Sequence, residues 1–318
     1  MTQGMEQEYI RKSKERIEET EDGCGSEYGT NPAIRTGRNR RLDRIRGAAL
    51  ASMILYHGCW DMVYLLGFHW KWYQGTGAWL WQQSICWTFI LLSGYCWSMS
   101  RHHLKRGLIT FGAGVFVWAV TVATIPSAAI RFGVLTLLGS AALLMIPADQ
   151  LLRKVNWKAG LAGSFMLFLM FRRAAAGWLG LGLGGPLGGL ELVRLPEVLF
   201  QMGSLSAWLG FPPKGFFSTD YFPILPWWFL FCAGYFLRSR VKEGFTVSNG
   251  GSTVAEMAAE ALAGGPTFAE AAVEKERIEE VSRLKCGLEW MGRHSLLVYL
   301  LHQPALYGAV VILNLILR

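Results

Sequence analysis

From Gly47 onward the chain falls into runs of about 17 to 25 residues that carry almost no charge, the length an α-helix needs to cross a hydrocarbon layer ~30 Å thick. Charged residues make up 17% of the 318 residues, against roughly 25% in soluble proteins. The deficit sits in those runs. The sequence therefore predicts an all-α, polytopic membrane helix bundle, and it argues against a soluble enzyme, a nucleic-acid binder or a disulfide-stapled secreted domain. The net charge of +8 needs only a topological explanation, because Lys and Arg collect on cytoplasmic loops.

That rule orders the spans. Arg35, Arg38, Arg40, Arg41, Arg44 and Arg46 precede the first apolar run and place the N-terminus in the cytoplasm. The run begins too late, and is too long, for a cleaved signal sequence. Spans are expected at about 44–68, 78–99, 107–124, 132–152, 159–171, 223–237 and 295–317, with basic loops at Arg101 to Arg106, Arg153 to Lys158 and Arg238 to Lys242 on the cytoplasmic side. Seven spans result. The glycine-rich stretch 174–219 reads as an outward-facing insertion, and an eighth span hidden in 174–210 would invert the last two. Residues 1–40 read as a disordered cytoplasmic tail, 41–240 with 286–318 as the transmembrane domain, and 241–285 as a cytoplasmic linker with a charged helix. The bacterial plasma membrane is the expected location. The six cysteines form no C-x-x-C pair and four lie in apolar runs, which is packing usage.

Ionisable side chains at membrane depth cost about 2.5 to 3.5 kcal/mol each on insertion scales, so they mark function by default. The first span carries two, His57 and Asp61, four residues apart on one helical face, where a carboxylate can hold an imidazole in one tautomer and raise its basicity. Arg46, eleven residues before His57, falls on the same face roughly 16 Å nearer the cytoplasm. Asp220 stands before Pro223 at the mouth of the sixth span, as a functional carboxylate or a helix cap. His302 lies in the last span beside Gln303 and just before Pro304, as ligand, proton carrier or hydrogen-bond glue. His69 sits in an outward aromatic loop with Phe68, Trp70, Trp72 and Tyr73. Arg101 ends the second span. His102 and His103 lack the carboxylate or thiol company of a metal site, and no metal is expected.

Six segments in order, 41–47 (RLDRIRG), 53–61 (MILYHGCWD), 91–94 (LLSG), 132–135 (FGVL), 220–227 (DYFPILPW) and 292–296 (GRHSL) leading to His302-Gln303-Pro304, resemble the bacterial branch of the heparan-alpha-glucosaminide N-acetyltransferase catalytic-domain family. The resemblance spans Arg41 to about Leu317 apart from 241–266. It implies a polytopic acyltransferase that moves an acetyl group from cytosolic acetyl-CoA, as co-substrate, to an amino-sugar or glycan acceptor on the far side of the membrane, by histidine chemistry. Arg46 with His57 also resembles the arginine, ten residues, histidine pattern of the wider membrane acyltransferase superfamily. In the animal lysosomal enzymes the active histidine lies after the first span and matches His69.

Acyl transfer needs a base for the acceptor and donors for the thioester oxyanion. In this frame His57 with Asp61 supplies the base, with His69 and Asp220 the other catalytic candidates. Ser93, the Gly94 amide or Tyr221 supplies the oxyanion donor. Arg46 and Arg101 hold the CoA phosphates, and His302 joins Ser93 on the donor side. Membrane lipid, acetyl-CoA and the acceptor are the expected partners, without nucleic acid. The competing reading is a proton-coupled transporter or flippase in which His57, Asp61 and His302 form a relay and no acyl group moves.

Overall fold

A computed structural model of the chain describes residues 39–244 and 282–316. Most of the tail and linker expectations, over 1–38 and 245–281, lie outside the described residues. The chain divides into two compact units, 1–51 with 250–295 and 52–249 with 296–318.

In the first unit the opening turns of α1 (Arg40–Tyr64) meet α8 (282–293). A Cβ on Gly47 would strike the Leu288 carbonyl and one on Gly292 the Asp43 carbonyl, so two glycines facing each other's partner backbone let the helices touch. Close approach buries Asp43 and Glu289, at 4% and 2% exposure. Both are paired, Glu289 with Arg44 at 2.6 Å and Arg293 at 3.4 Å, Asp43 with Arg46 at 3.5 Å. Buried carboxylates persist only with such partners.

The second unit holds the remainder of α1, then α2 (Thr76–Trp97), α3 (His103–Thr124), α4 (Val134–Leu152), α5 (Trp157–Phe171), the short α6 (Ser204–Leu209), α7 (Ile224–Gly244) and α9 (Ser295–Ile316). Helices thus occupy all seven of the expected apolar runs. Three of them, His103–Thr124, Val134–Leu152 and Trp157 continued to Ala176, are by length and composition apolar enough to cross a membrane. Neighbours pack as α3 on α4, α5 on α7 and α2 on α7. Small residues again set the spacing, with Gly94 against the Phe231 carbonyl and Gly234 against that of Leu91 between α2 and α7. Around this seam lies a core of Ile90, Leu137, Met145, Phe168, Leu230 and Phe231. The bundle also wears apolar side chains on its outside: Phe116 on α3 is 62% exposed and Leu108 53%. In water such a surface is a liability, and against lipid it is the ordinary state.

The stretch 174–219 departs from an all-α chain. Trp178–Leu181 (β1) and Leu190–Arg194 (β2) pair antiparallel, with a register shift at Leu179/Gly180. Gly184, Gly185 and Gly188 in the connection adopt φ of +69°, +57° and +62°, which explains the glycine run as turn chemistry. The longest helix in this stretch is the six-residue α6, so no helix in 174–210 is long enough to cross a membrane. α6 is docked onto α4, where Trp208 Nε1 donates to Ser140 Oγ at 3.1 Å. Cys59, Cys86, Cys96 and Cys232 are free, whereas Cys286 is disulfide-bonded and departs from a purely packing use of cysteine.

Candidate active site

Within the second unit, α1 and α9 bring together residues 246 positions apart. Gln303 Nε2 lies 2.9 Å from His57 Nδ1, and the two imidazoles, His57 and His302, stand with ring centroids 5.1 Å apart. His57 therefore takes its orienting partner from α9. Asp61 makes no hydrogen bond to it. The expected carboxylate–imidazole pair is replaced by an amide–imidazole pair, because a side chain from a neighbouring helix reaches Nδ1. Asp61 is nevertheless 3% exposed, and its Oδ2 is buried with no hydrogen-bond partner.

His302 is 7% exposed. Its Nδ1 donates to the Tyr299 carbonyl at 2.5 Å, which fixes the proton on that nitrogen, and its Nε2 is buried without a partner. Among the described residues six buried side-chain polar atoms lack a partner; one is on His302, whose ring neighbours that of His57, and one on Asp61, four residues after His57 on α1. The others, on Ser100, His103, Trp228 and Arg238, lie on the α2–α3 connection, α3 and α7. A buried polar atom left unpaired costs about 1 to 3 kcal/mol, so one in a histidine pair and one a helical turn from it are an outlay that folding alone does not explain.

A pocket of about 240 Å³ opens in the same unit, lined by Gln82, Gln83, Arg172, Asp220, Tyr221 and Trp227 among others. Arg172, just past the end of the fifth apolar run, is not among the candidates that the sequence singles out. In the structure its guanidinium stacks 4.4 Å from the Trp227 ring, Nε donates to the Leu183 carbonyl at 3.1 Å and Nη2 to Gln83 Oε1. Neither Arg172 nor Asp220 has an ion-pair partner among the described residues. Asp220 does not cap the helix that follows it. Its Oδ2 accepts from the Val134 amide at 3.4 Å, at the start of α4, where the N-cap residue Gly133 offers no side chain. Burial pushes the Asp220 carboxyl up to about 6, and the Val134 bond pulls in the opposite direction. Asp220 also lies within electrostatic reach of Tyr299, whose ring is 5.3 Å from that of His302.

The remaining candidates are dispersed. His69 is exposed in the loop after α1. Its neighbour Tyr73 folds inward, 5% exposed, with its hydroxyl donating to the Tyr56 carbonyl at 3.0 Å. Ser93 is half-buried on α2, and Gly94 beside it is committed to the α2–α7 contact with its amide inside the helix. The Tyr221 hydroxyl is spent on the Ala207 carbonyl. Arg101 is exposed in the α2–α3 connection, and Arg46 belongs to the first unit with Asp43.

No curated protein and no solved structure matches the chain. Residues 38–264 match the family described as heparan-alpha-glucosaminide N-acetyltransferase, catalytic, a stretch that carries His57, Asp61, Arg172 and Asp220 and stops short of His302 and Gln303. With well over half of its 318 residues inside that match, the chain belongs to the heparan-alpha-glucosaminide N-acetyltransferase catalytic family, a family of membrane acetyltransferases.

Proposed function

We propose that this protein is a membrane-integral acetyltransferase that passes the acetyl group of acetyl-CoA, bound from the cytoplasmic side, to the amine or hydroxyl of an amino-sugar or glycan acceptor on the outer side. The observation that carries the reading is the His57–Gln303–His302 contact with bare acceptor atoms on His302 and Asp61 beside it. Imidazole is the side chain suited to moving a proton near neutral pH, and a buried, oriented pair of them beside unsatisfied acceptors fits a reacting group that brings its own hydrogens.

In this reading all seven long helices cross the membrane, with the N-terminus in the cytoplasm and residue 318 outside. The acceptor enters the Arg172–Asp220–Trp227 pocket, where an aromatic plane, an amide pair, a cation and a carboxylate are the groups that hold a sugar ring. Arg101, exposed in the α2–α3 connection, holds the donor's phosphates. The acceptor nitrogen or oxygen attacks the thioester carbonyl, a new bond to that carbon forms as the C–S bond breaks, the acceptor's proton passes to an imidazole, and the departing CoA thiolate is reprotonated from it.

Detergent-purified protein given radiolabelled acetyl-CoA and a panel of amino sugars and glycan hydroxyls should transfer label to at least one acceptor. Label that stays on CoA throughout, together with proton-coupled solute uptake in proteoliposomes, would replace acyl transfer with the transporter reading.

A further inference from the structure

The two imidazoles of the site are not equivalent, and the difference follows from their partners. At His302, Nδ1 faces a backbone carbonyl 2.5 Å away, and a carbonyl can only accept. The neutral ring must therefore carry its proton on Nδ1 and expose a lone pair at Nε2. That nitrogen is buried and makes no hydrogen bond. At His57, Nδ1 faces the Gln303 amide nitrogen at 2.9 Å, and an amide nitrogen can only donate. Here Nδ1 is the acceptor and the ring proton belongs on Nε2. One ring of a pair 5.1 Å apart thus offers a bare lone pair, and the other an N–H.

We propose that His302, not His57, is the general base of the acyl transfer, and that His57 serves as the hydrogen-bond donor to the thioester oxygen. The assignment rests on the acetyltransferase reading above and divides its labour. His302 Nε2 takes the proton from the attacking amine or hydroxyl as the new bond to the acetyl carbon forms. His57 Nε2–H stabilises the negative charge that develops on the carbonyl oxygen, a task that neither the Gly94 amide, inside α2, nor the Tyr221 hydroxyl, bonded to Ala207, is free to perform. The His302 imidazolium then returns its proton to the CoA thiolate as the C–S bond breaks. The Tyr299 carbonyl orients the base and holds its second proton throughout, the task that a carboxylate performs in a catalytic triad.

The decisive variant is His302→Asn, whose side-chain amide can still donate to the Tyr299 carbonyl but has no basic nitrogen. It should lower kcat by ~10² to 10⁴ with the KM for acetyl-CoA held within about twofold. His302→Ala, which leaves a hole where the ring stood, should regain acyl transfer as free imidazole is added, and His57→Ala should not. Full kcat in His302→Asn, or rescue of His57→Ala alone, would overturn the assignment while leaving the enzyme reading intact. An unlabelled acceptor panel with wild-type protein would remove both. Magnetic resonance of isotope-labelled histidine supplies a readout apart from activity: His302 should show its proton on Nδ1, and a proton on Nε2 would overturn the proposal.

Discussion

Two carboxylates lie inside the second unit at nearly equal depth, Asp61 at 3% exposure on α1 and Asp149 at 6% on α4. Their surroundings are opposite. Asp149 Oδ1 accepts from the Tyr235 hydroxyl at 2.7 Å and Oδ2 pairs with Arg153 one turn on, so both oxygens are satisfied by neighbours within the bundle. Asp61 Oδ2 has nothing. The first is a closed polar cluster, of the kind that ties helices together, and the second is open. Burial alone does not separate the two carboxylates; unspent hydrogen-bonding capacity does, and on the reading proposed above it marks the functional one.

The comparison is broken or sharpened most strongly at His57. His57→Ala should reduce acyl transfer by ~10² to 10³, as loss of an oxyanion donor does, while the elution profile and melting temperature in detergent stay close to wild type. Unchanged activity at matched folding would strip the open cluster of its role. Asp61→Asn comes next: transfer should fall by ~10 to 100-fold, and the melting temperature should hold or rise, because a buried carboxylate without a partner on one oxygen is removed. A loss of stability without a loss of rate would make Asp61 a second closed carboxylate. Asp149→Ala should do the reverse, costing about 1 to 3 kcal/mol in denaturant unfolding while the folded fraction keeps its turnover.

The smallest effect concerns Asp220, half-buried and tied to the start of α4. Its folded carboxyl titrates near 6, against an ordinary value of 3.8, so between those values the folded protein binds more protons than the unfolded chain. Stability from this group is therefore greatest at low pH and falls as pH rises through roughly 4 to 6, then levels off. Asp220→Asn keeps an oxygen for the Val134 amide and removes the slope. Thermal melts at pH 5 and pH 7 should show the variant gaining on wild type at the higher pH. The opposite trend would show that a cation, Arg172 above all, already stabilises the carboxylate.

The helices were legible because hydrocarbon length and the absence of charge act along the chain: Ala78–Met99 was expected and Thr76–Trp97 is found. The family was legible for the same reason, since its motifs are local strings. What escaped was set by contacts across the chain. The partner of His57 sits 246 residues away, and the amide that Asp220 caps sits 86 away. Four-residue spacing favoured Asp61 as the partner of His57, and a residue on another helix took the place. Arg172 carried no local signal, because its partners Gln83, Leu183 and Trp227 come from α2, the ribbon and α7. The β ribbon was hidden because Gly184, Gly185 and Gly188 erase periodicity, and turn glycines look the same as a flexible insertion until the register is known.

The bond between Gln303 and His57 also sets a clock on the protein's synthesis. α1 leaves the ribosome before α9, so a nascent chain holds His57 without its orienting amide and without His302 until α9, with Gln303 246 residues further on, has been made. On the acetyltransferase reading proposed above, the half-built bundle is chemically silent. Two separately expressed pieces, one ending in the 245–281 connection and the other supplying α9, should then each be inert and regain activity only when they meet in the same bilayer.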